Sequence, residues 1–401
     1  MTAVRTVLVS GASIAGPALA HWLHQHGISV TVVEKAPEPR PGGYAIDLRG
    51  KAIDVVERMG HLPEIRSRVT EMNHLALVDT DGHRRVGMPT GMISEEDRSL
   101  EILRGDLVRI LHGPTTGHTE YLYGDTITGI EQDDDGAHVT FANAAPRTFD
   151  LVVGADGLHS NTRGLVFGAE DPLARFLGAY ISIFTIPDHV GLDREARLYN
   201  TPGKLIGMYR TPRADGAKAI LGMHVPRPLG VERLSPAEQR GFLRGVFAGN
   251  GWESDRILDA MDDSEDFYFD SITQIRMDHW SRGRVTLLGD AGYCHSPLSG
   301  QGSTLAVVGA YALAQELGRH TNVTRALAAY EDRMRPFVRA NQDIADSGMR
   351  FLAPKTRFGI AARDLVVRAA PLIKSLGTFT GKLDRASEAF ALDAPSAVPT
   401  R

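Results

Sequence analysis

The residues best suited to chemistry begin at Gly11-Ala12-Ser13-Ile14-Ala15-Gly16, between a short β-rich run at 6–9 and helical spacing at 17–26. A glycine turn between strand and helix lets backbone N–H groups and the positive end of the helix dipole face a pyrophosphate. Glu34, with Lys35 beside it, ends a second apolar run at 28–33. A carboxylate there can accept hydrogen bonds from both ribose hydroxyls of an adenosine. Together these residues point to a bound dinucleotide; the competing reading is a tight turn and a surface glutamate. Ser13 replaces the middle glycine of G-x-G-x-x-G, so a less close backbone approach is expected there. No second such fingerprint follows, so one permanently held dinucleotide is expected. Other features must then decide between FAD and a nicotinamide.

Those features are LVVGADGLHSNTR at 151–163 and RVTLLGDAGYCHSPLSGQG at 284–302. Here the chain resembles the class A, single-component FAD monooxygenases that act on aromatic and polyketide molecules. That family has the para-hydroxybenzoate hydroxylase fold and includes tetracycline-inactivating enzymes. The resemblance covers about residues 4–345. Its D-G-x-x-S-x-x-R motif is met by Asp156, Gly157, Ser160 and Arg163, and its G-D by Gly289 and Asp290. By resemblance, Asp290 holds a ribityl hydroxyl and Arg104 lies near the ribityl–pyrophosphate region; otherwise Arg104 is a solvated helix residue. Pro297 and Gly300-Gln301-Gly302 match the loop against the flavin ring, where a following helix N-terminus favours the anionic reduced ring. The run 42–47 resembles the loop passing the ring edge. Arg40 either approaches the adenosine phosphates or is solvated. Tyr293, Thr304 and Gly309 depart from the family's frequent His, Asn and Asp. Cys294 and His295 are given no role.

The elements that must position these residues read as α/β. Residues 4–35 form strand, turn, helix and strand, opening a doubly wound, Rossmann-like FAD-binding domain. That domain is expected at 1–70, 100–170 and 272–350. An inserted antiparallel-sheet substrate domain is expected at 71–99 and 171–271, a C-terminal helical segment at 351–390, and a disordered tail at 391–401. Hairpins are expected around Asp81-Gly82 and around Asp133–Asp135, the latter a solvated acidic turn rather than a calcium loop. Helices are expected at 304–319 and 324–335. A basic amphipathic helix at 362–376 should dock on the protein through Leu365, Val366, Ala369, Leu372, Ile373 and Leu376.

Charge and composition set limits. Lys and Arg number 44 against 49 Asp and Glu, with no dense basic block, which gives no sign of a nucleic-acid partner. No run of 18 apolar residues occurs, so no membrane partner is expected. Cys294 is the sole cysteine, so no intrachain disulfide forms, no metal centre is expected, and a reducing cytoplasm fits.

The resemblance implies a monooxygenase with non-covalent FAD and NADPH or NADH as co-substrate. It would insert one oxygen atom from O2, by way of a flavin C4a-hydroperoxide, into an apolar, aromatic or polyketide-like small molecule. Hydroxylation, epoxidation and Baeyer–Villiger insertion all stay open, as do an FAD-dependent reductase or desaturase and a non-catalytic FAD-binding protein. A halogenase is disfavoured, because Trp22, Trp252 and Trp280 stand alone and no W-x-W-x-I-P occurs. No acid–base residue is assigned. Tyr209, Arg210 and His224 are candidate substrate contacts, with Tyr209 and Arg210 on opposite faces of one strand.

Overall fold

Val7, Leu8 and Val9 are apolar in succession because their strand, Thr6–Ser10, lies inside a sheet that buries all three. The computed structural model describes residues 4–39, 43–89, 98–212, 214, 216–296, 300–344, 351–369 and 377–394. The six-stranded sheet runs Ser281–Arg282, Val285–Leu287, Leu151–Gly154, Thr6–Ser10, Ser29–Glu34, Thr119–Tyr123. Every pairing is parallel except the outermost, Ser281–Arg282. Ser10 registers with Gly154, and Gly154 with Leu287, so three adjacent strands end at one level. All three motif loops start from those strand ends. Beside the sheet, helix Ala15–Gln25 packs on Gly302–Arg319, which is buried nearly all round, Leu305, Val308 and Leu313 included. Among the described helices none is long and apolar enough to cross a membrane.

A second, seven-stranded sheet runs Tyr268–Ile275, Ala174–Ile186, Ala217–His224, Lys204–Tyr209, Glu195–Thr201, His74–Val78, Arg84–Pro89. The expected antiparallel sheet needs one correction: Glu195–Thr201 pairs in parallel with His74–Val78, where the earlier hairpin joins the later strands. Tyr268–Ile275 escapes a hydropathy reading because Asp270, Ser271, Thr273 and Gln274 are all buried in it. One sheet face packs Ile206, Met208 and Leu221 on helices Pro236–Phe247 and Ser254–Met261. The opposite face holds Leu198, Leu205 and Ile272 with Ala353 and Val367 from the C-terminal segment.

Three other expectations change. Within the run 42–47, taken for a loop, residues from Ala45 onward are strand: Ala45–Arg49 pairs antiparallel with Ser99–Leu103. The helix expected at 324–335 is Val323–Gln342; Pro336 lies inside it, but buried Met334, Phe337 and Val338 keep the segment docked. The tail helix is Arg357–Ala369, and its expected inner face is turned outward. Leu365 and Val366 are 67% and 54% exposed, while Ile360, Arg363, Asp364 and Val367 are buried. Ion pairing decides this orientation. Arg363 bonds Asn200 Oδ1 at 2.7 Å and Asp364 at 2.8 Å, and Asp364 takes Arg85 at 2.7 Å. Leu372, Ile373 and Leu376 lie outside the described residues. A further helix, Gly377–Glu388, lies within the helical segment expected at 351–390, where only the helix at 362–376 had been placed. Asp393, in the stretch expected to be disordered, bonds Tyr311 Oη and pairs with Arg319 and Arg333.

Candidate active site

Gly11 takes φ +109, and a Cβ on it would stand 2.5 Å from the Ala155 carbonyl oxygen; a Cβ on Gly16 would stand 2.0 Å from that of Gly11. The two glycines therefore let the turn close onto the neighbouring strand end. Ile14 is the N-cap of the helix that follows, and Ala15 and Gly16 form its first turn. Glu34 accepts from the Ala12 and Ala36 amides, each at 2.9 Å, and so ties the second strand's end to the glycine turn. Lys35 follows directly after that strand. Ser13, the departure from the glycine fingerprint, has a partner: Arg104 Nη2 donates to its hydroxyl at 2.8 Å. Arg104 opens helix Arg104–His112, and its amide bonds the Tyr44 carbonyl at 3.0 Å. A guanidinium is thus fixed against the turn where phosphates are expected. Ser13→Ala removes a charge-assisted bond of about 1.5–3 kcal/mol that holds Arg104 in place, and FAD affinity should fall by up to roughly 10- to 150-fold. Fluorescence titration of apoprotein with FAD checks this, and unchanged affinity would detach Arg104 from the cofactor.

Asp156 is engaged on both oxygens. It accepts from Ser160 Oγ, Ser10 Oγ at 3.2 Å, and the amide and hydroxyl of Thr162, each at 2.9 Å. Its carboxylate shapes the loop that Gly157 turns at φ +85. Arg163, 1% exposed, donates to the carbonyls of Ala291 at 2.8 Å and Leu158 at 2.6 Å and to Glu170. One guanidinium therefore ties the Asp156 loop to the Asp290 loop.

Glu170 also meets His159, whose other ring nitrogen reaches Asp270 on the seven-stranded sheet at 3.2 Å. Asp270 first, then Glu170, raise the imidazolium to about 10 against the opposing effect of burial. A raised histidine contributes stability that is full below about 6.5 and is lost as pH climbs to about 10. The stability of the wild type should therefore fall over that window, and that of His159→Gln should fall less steeply. Parallel slopes in urea melts would remove the ion pair from the account.

Gly289, at φ +66, turns the third strand into Asp290. Burial raises the Asp290 carboxyl, with the Cys294 thiol and Arg104 opposing it. Beside this loop lie buried polar groups without partners. Gln301 is fully buried, and among the described residues neither its amide atoms nor the ring nitrogens of His295 have a partner. Burial holds the His295 ring down to about 3, so it stays neutral. Native proteins rarely leave such groups unpaired, and a cofactor edge with carbonyl and N–H groups fits them. Gly302 opens the long helix here, and a Cβ on Gly300 would stand 2.7 Å from Asp47 Oδ2, which places the ring loop against the Ala45–Arg49 strand. Arg40 and Pro297 lie outside the described residues.

That strand carries groups the sequence reading missed. Asp47 stands directly opposite Glu101, and Arg49 follows two residues on. Arg49 Nη2 bonds Asp47 at 3.1 Å, while its Nε and Nη1 are buried and without partners among the described residues. Burial and then Asp47 lift Glu101 to about 7, against the Thr70 hydroxyl and Arg49. Nothing in either segment marks these residues until the strand register sets them together. Of the substrate candidates, Tyr209 is buried and its hydroxyl accepts from the Ala45 amide at 2.9 Å, joining the seven-stranded sheet to this strand. Arg210 pairs with Asp188 at 3.4 Å. His224 bonds the Gly178 carbonyl at 3.1 Å. Tyr209 registers with Lys218, six residues from His224, so the structure holds those two about 20 Å apart.

The geometry defines a dinucleotide-binding α/β domain beside a β-sheet, and comparison with known proteins gives the class. A model of the FAD binding domain family matches residues 5–187 and 255–345. An uncharacterized Mycobacterium tuberculosis protein is 43% identical over 357 residues, covering 88% of this chain and 95% of its own. A flavin-dependent monooxygenase from an unknown prokaryotic organism is 42% identical over 346 residues, 85% of this chain and 89% of its own. The crystal structure of tetracycline destructase Tet(55) superposes with a TM-score of 0.84 at 38% identity, covering 98% of this chain and 99% of that one. The chain belongs to the FAD binding domain family and is an FAD-dependent monooxygenase of class A, the aromatic hydroxylase type.

Proposed function

We propose that NADPH or NADH reduces the bound FAD and that one oxygen atom of O2 then enters an apolar, aromatic or polyketide-like molecule, with tetracyclines among the first to test. The observation that carries this reading is the meeting of three motif loops at three adjacent strand ends, beside the Ala45–Arg49 strand that Tyr209 of the second sheet reaches. When bound, the cofactor supplies electron transfer and oxygen activation. The protein's part is to hold and shield. The Gly11 turn and Arg104 face the phosphates, Glu34 the adenosine ribose, and Asp290 a ribityl hydroxyl. Gln301 and His295 lie at the ring, and Tyr209 closes the space between sheet and strand against water. We also place residues 1–70, 100–170 and 272–350 in the FAD-binding unit and 71–99 with 171–271 in the substrate unit, and the enzyme in the cytoplasm, where reduced nicotinamides are made.

The test is anaerobic reduction with each nicotinamide, then mixing with O2 in the presence of phenolic, polyketide and tetracycline ligands. A transient oxygenated-flavin absorbance and an oxygenated product are expected. Reduction without O2-dependent product from any ligand would favour a reductase or desaturase. Asp290→Ala tests the ribityl contact. It leaves a buried hydroxyl unpaired, costing about 1–3 kcal/mol, or roughly 5- to 150-fold in affinity. Wild-type retention of FAD on gel filtration would remove Asp290 from the site.

A further inference from the structure

The helix Arg357–Ala369 is built inside out. Its ion-paired residues, Arg363 and Asp364, face the seven-stranded sheet with Ile360 and Val367, while Phe358, Leu365 and Val366 face solvent. Phe358 is 83% exposed, Leu365 67% and Val366 54%, and nearby Phe351 is 44% exposed. No other large apolar side chain among the described residues exceeds Leu229 at 45%. Positions 358, 365 and 366 fall on one helical face, two turns apart. Beside Val366 runs a groove lined by Phe351, Pro354, Lys355, Gly359 and Arg363. A contiguous exposed apolar patch marks a contact surface rather than scattered exposure. Rotating the helix to hide it would break the Arg363–Asn200, Arg363–Asp364 and Arg85–Asp364 contacts.

Charge chooses the occupant. Lys355, Arg357 and Arg368 are exposed around the patch, and the one carboxylate in 351–369, Asp364, is buried in its ion pairs. The chain as a whole carries a net charge of −5, so this segment is a cationic region on an acidic protein. Large apolar side chains flanked by cations, with no exposed anion within the described segment 351–369, match the boundary between headgroups and acyl chains of an anionic bilayer. We propose that this helix docks the enzyme on the surface of an anionic phospholipid membrane, with Phe358, Leu365 and Val366 entering the interface and Lys355, Arg357 and Arg368 meeting phosphate headgroups. The docking is peripheral and runs against the sequence expectation of no membrane partner. It is independent of the substrate reading. Alternation along Lys204–Tyr209 puts Leu205 and Tyr209 on the sheet face that this helix covers, so the docked side is also the substrate side.

Flotation of the FAD-loaded full-length protein with two kinds of vesicle tests the proposal. One kind is phosphatidylcholine alone, the other one-third phosphatidylglycerol. Bound protein should be at least about tenfold greater on the anionic vesicles and should fall several-fold at about 0.5 M salt, where screening is short-ranged. Phe358→Glu with Leu365→Glu should abolish binding. Because both side chains are exposed, flavin content and melting temperature should stay within about two degrees of wild type. Arg357→Glu should weaken binding to anionic vesicles and leave the melt unchanged. Equal flotation on both vesicles, no flotation on either, or undiminished flotation of the double variant would each overturn the proposal. So would a dimer in sedimentation that Phe358→Glu dissociates without any vesicle binding, since a second copy of the chain would then own the face.

Discussion

Arg163→Ala is expected to strip the protein of FAD and destabilise it by about 3–5 kcal/mol, the usual result of removing one partner of a buried ion pair. Arg163 is 1% exposed and forks between the Ala291 carbonyl, the Leu158 carbonyl and Glu170. Alanine would leave two buried carbonyls and a carboxylate short of donors and open a cavity between the two loops. Glu170 keeps His159, so part of the charge stays compensated. Arg163→Lys keeps the charge but not the planar fork and should fall between alanine and wild type. Urea melts of apoprotein and holoprotein separate the two effects. A brace that serves only stability lowers both midpoints equally. A brace that also sets the cofactor loops lowers the holoprotein midpoint more, because bound FAD then contributes less. Retained FAD with an unchanged midpoint would sink the idea.

This residue shows what the sequence makes legible. The three motif loops can be read because each needs particular residue types: glycines where a Cβ would strike a carbonyl, an Asp where several donors converge, an Arg where carbonyls from two loops meet. Val7–Val9 and Leu151–Val153 show in the sequence because strand segments covered on both faces read as continuous apolar runs. The Asp133 turn is equally local, its carboxylate accepting from the amides of Asp135 and Gly136. Register is not local. Asp47 and Glu101 become a facing pair only once Ala45–Arg49 and Ser99–Leu103 align. The buried polar strand Tyr268–Ile275 hides from hydropathy for the same reason, since its partners come from distant segments. Arg363 and Asp364 reverse the tail helix because a hydrogen bond from Arg363 to Asn200 and an ion pair of Asp364 with Arg85 fix them inward, and the spacing of apolar residues takes no account of such partners.

Deleting the chain after Pro354 should cost more than any one of these substitutions, because two straps are lost together. The first, Arg357–Ala369, buries Ile360 and Val367 on the substrate-side sheet and supplies Arg363 to Asn200. The second, Gly377–Glu388 with the residues after it, buries Leu383, Ala386 and Phe390 beside Val323–Gln342. Its Glu388 pairs with Arg98 and Lys51, and Asp393 pairs with Arg319 and Arg333. Each larger apolar side chain contributes about 1.5–3 kcal/mol on burial. Ordering the segment opposes that by about 1–2 kcal/mol per residue of backbone, so the net loss is several kcal/mol rather than the sum. Truncation after Ala369 should then separate the straps. It removes the second one, lowering the melting temperature while leaving the sheet face covered. Truncation after Pro354 bares that face as well, and on the proposed function more reduced nicotinamide should end as hydrogen peroxide. Peroxide released per NADPH oxidised should therefore rise sharply with the longer deletion and little with the shorter. Equal release from both, at matched FAD content, would show that the first strap holds the fold without shielding the chemistry.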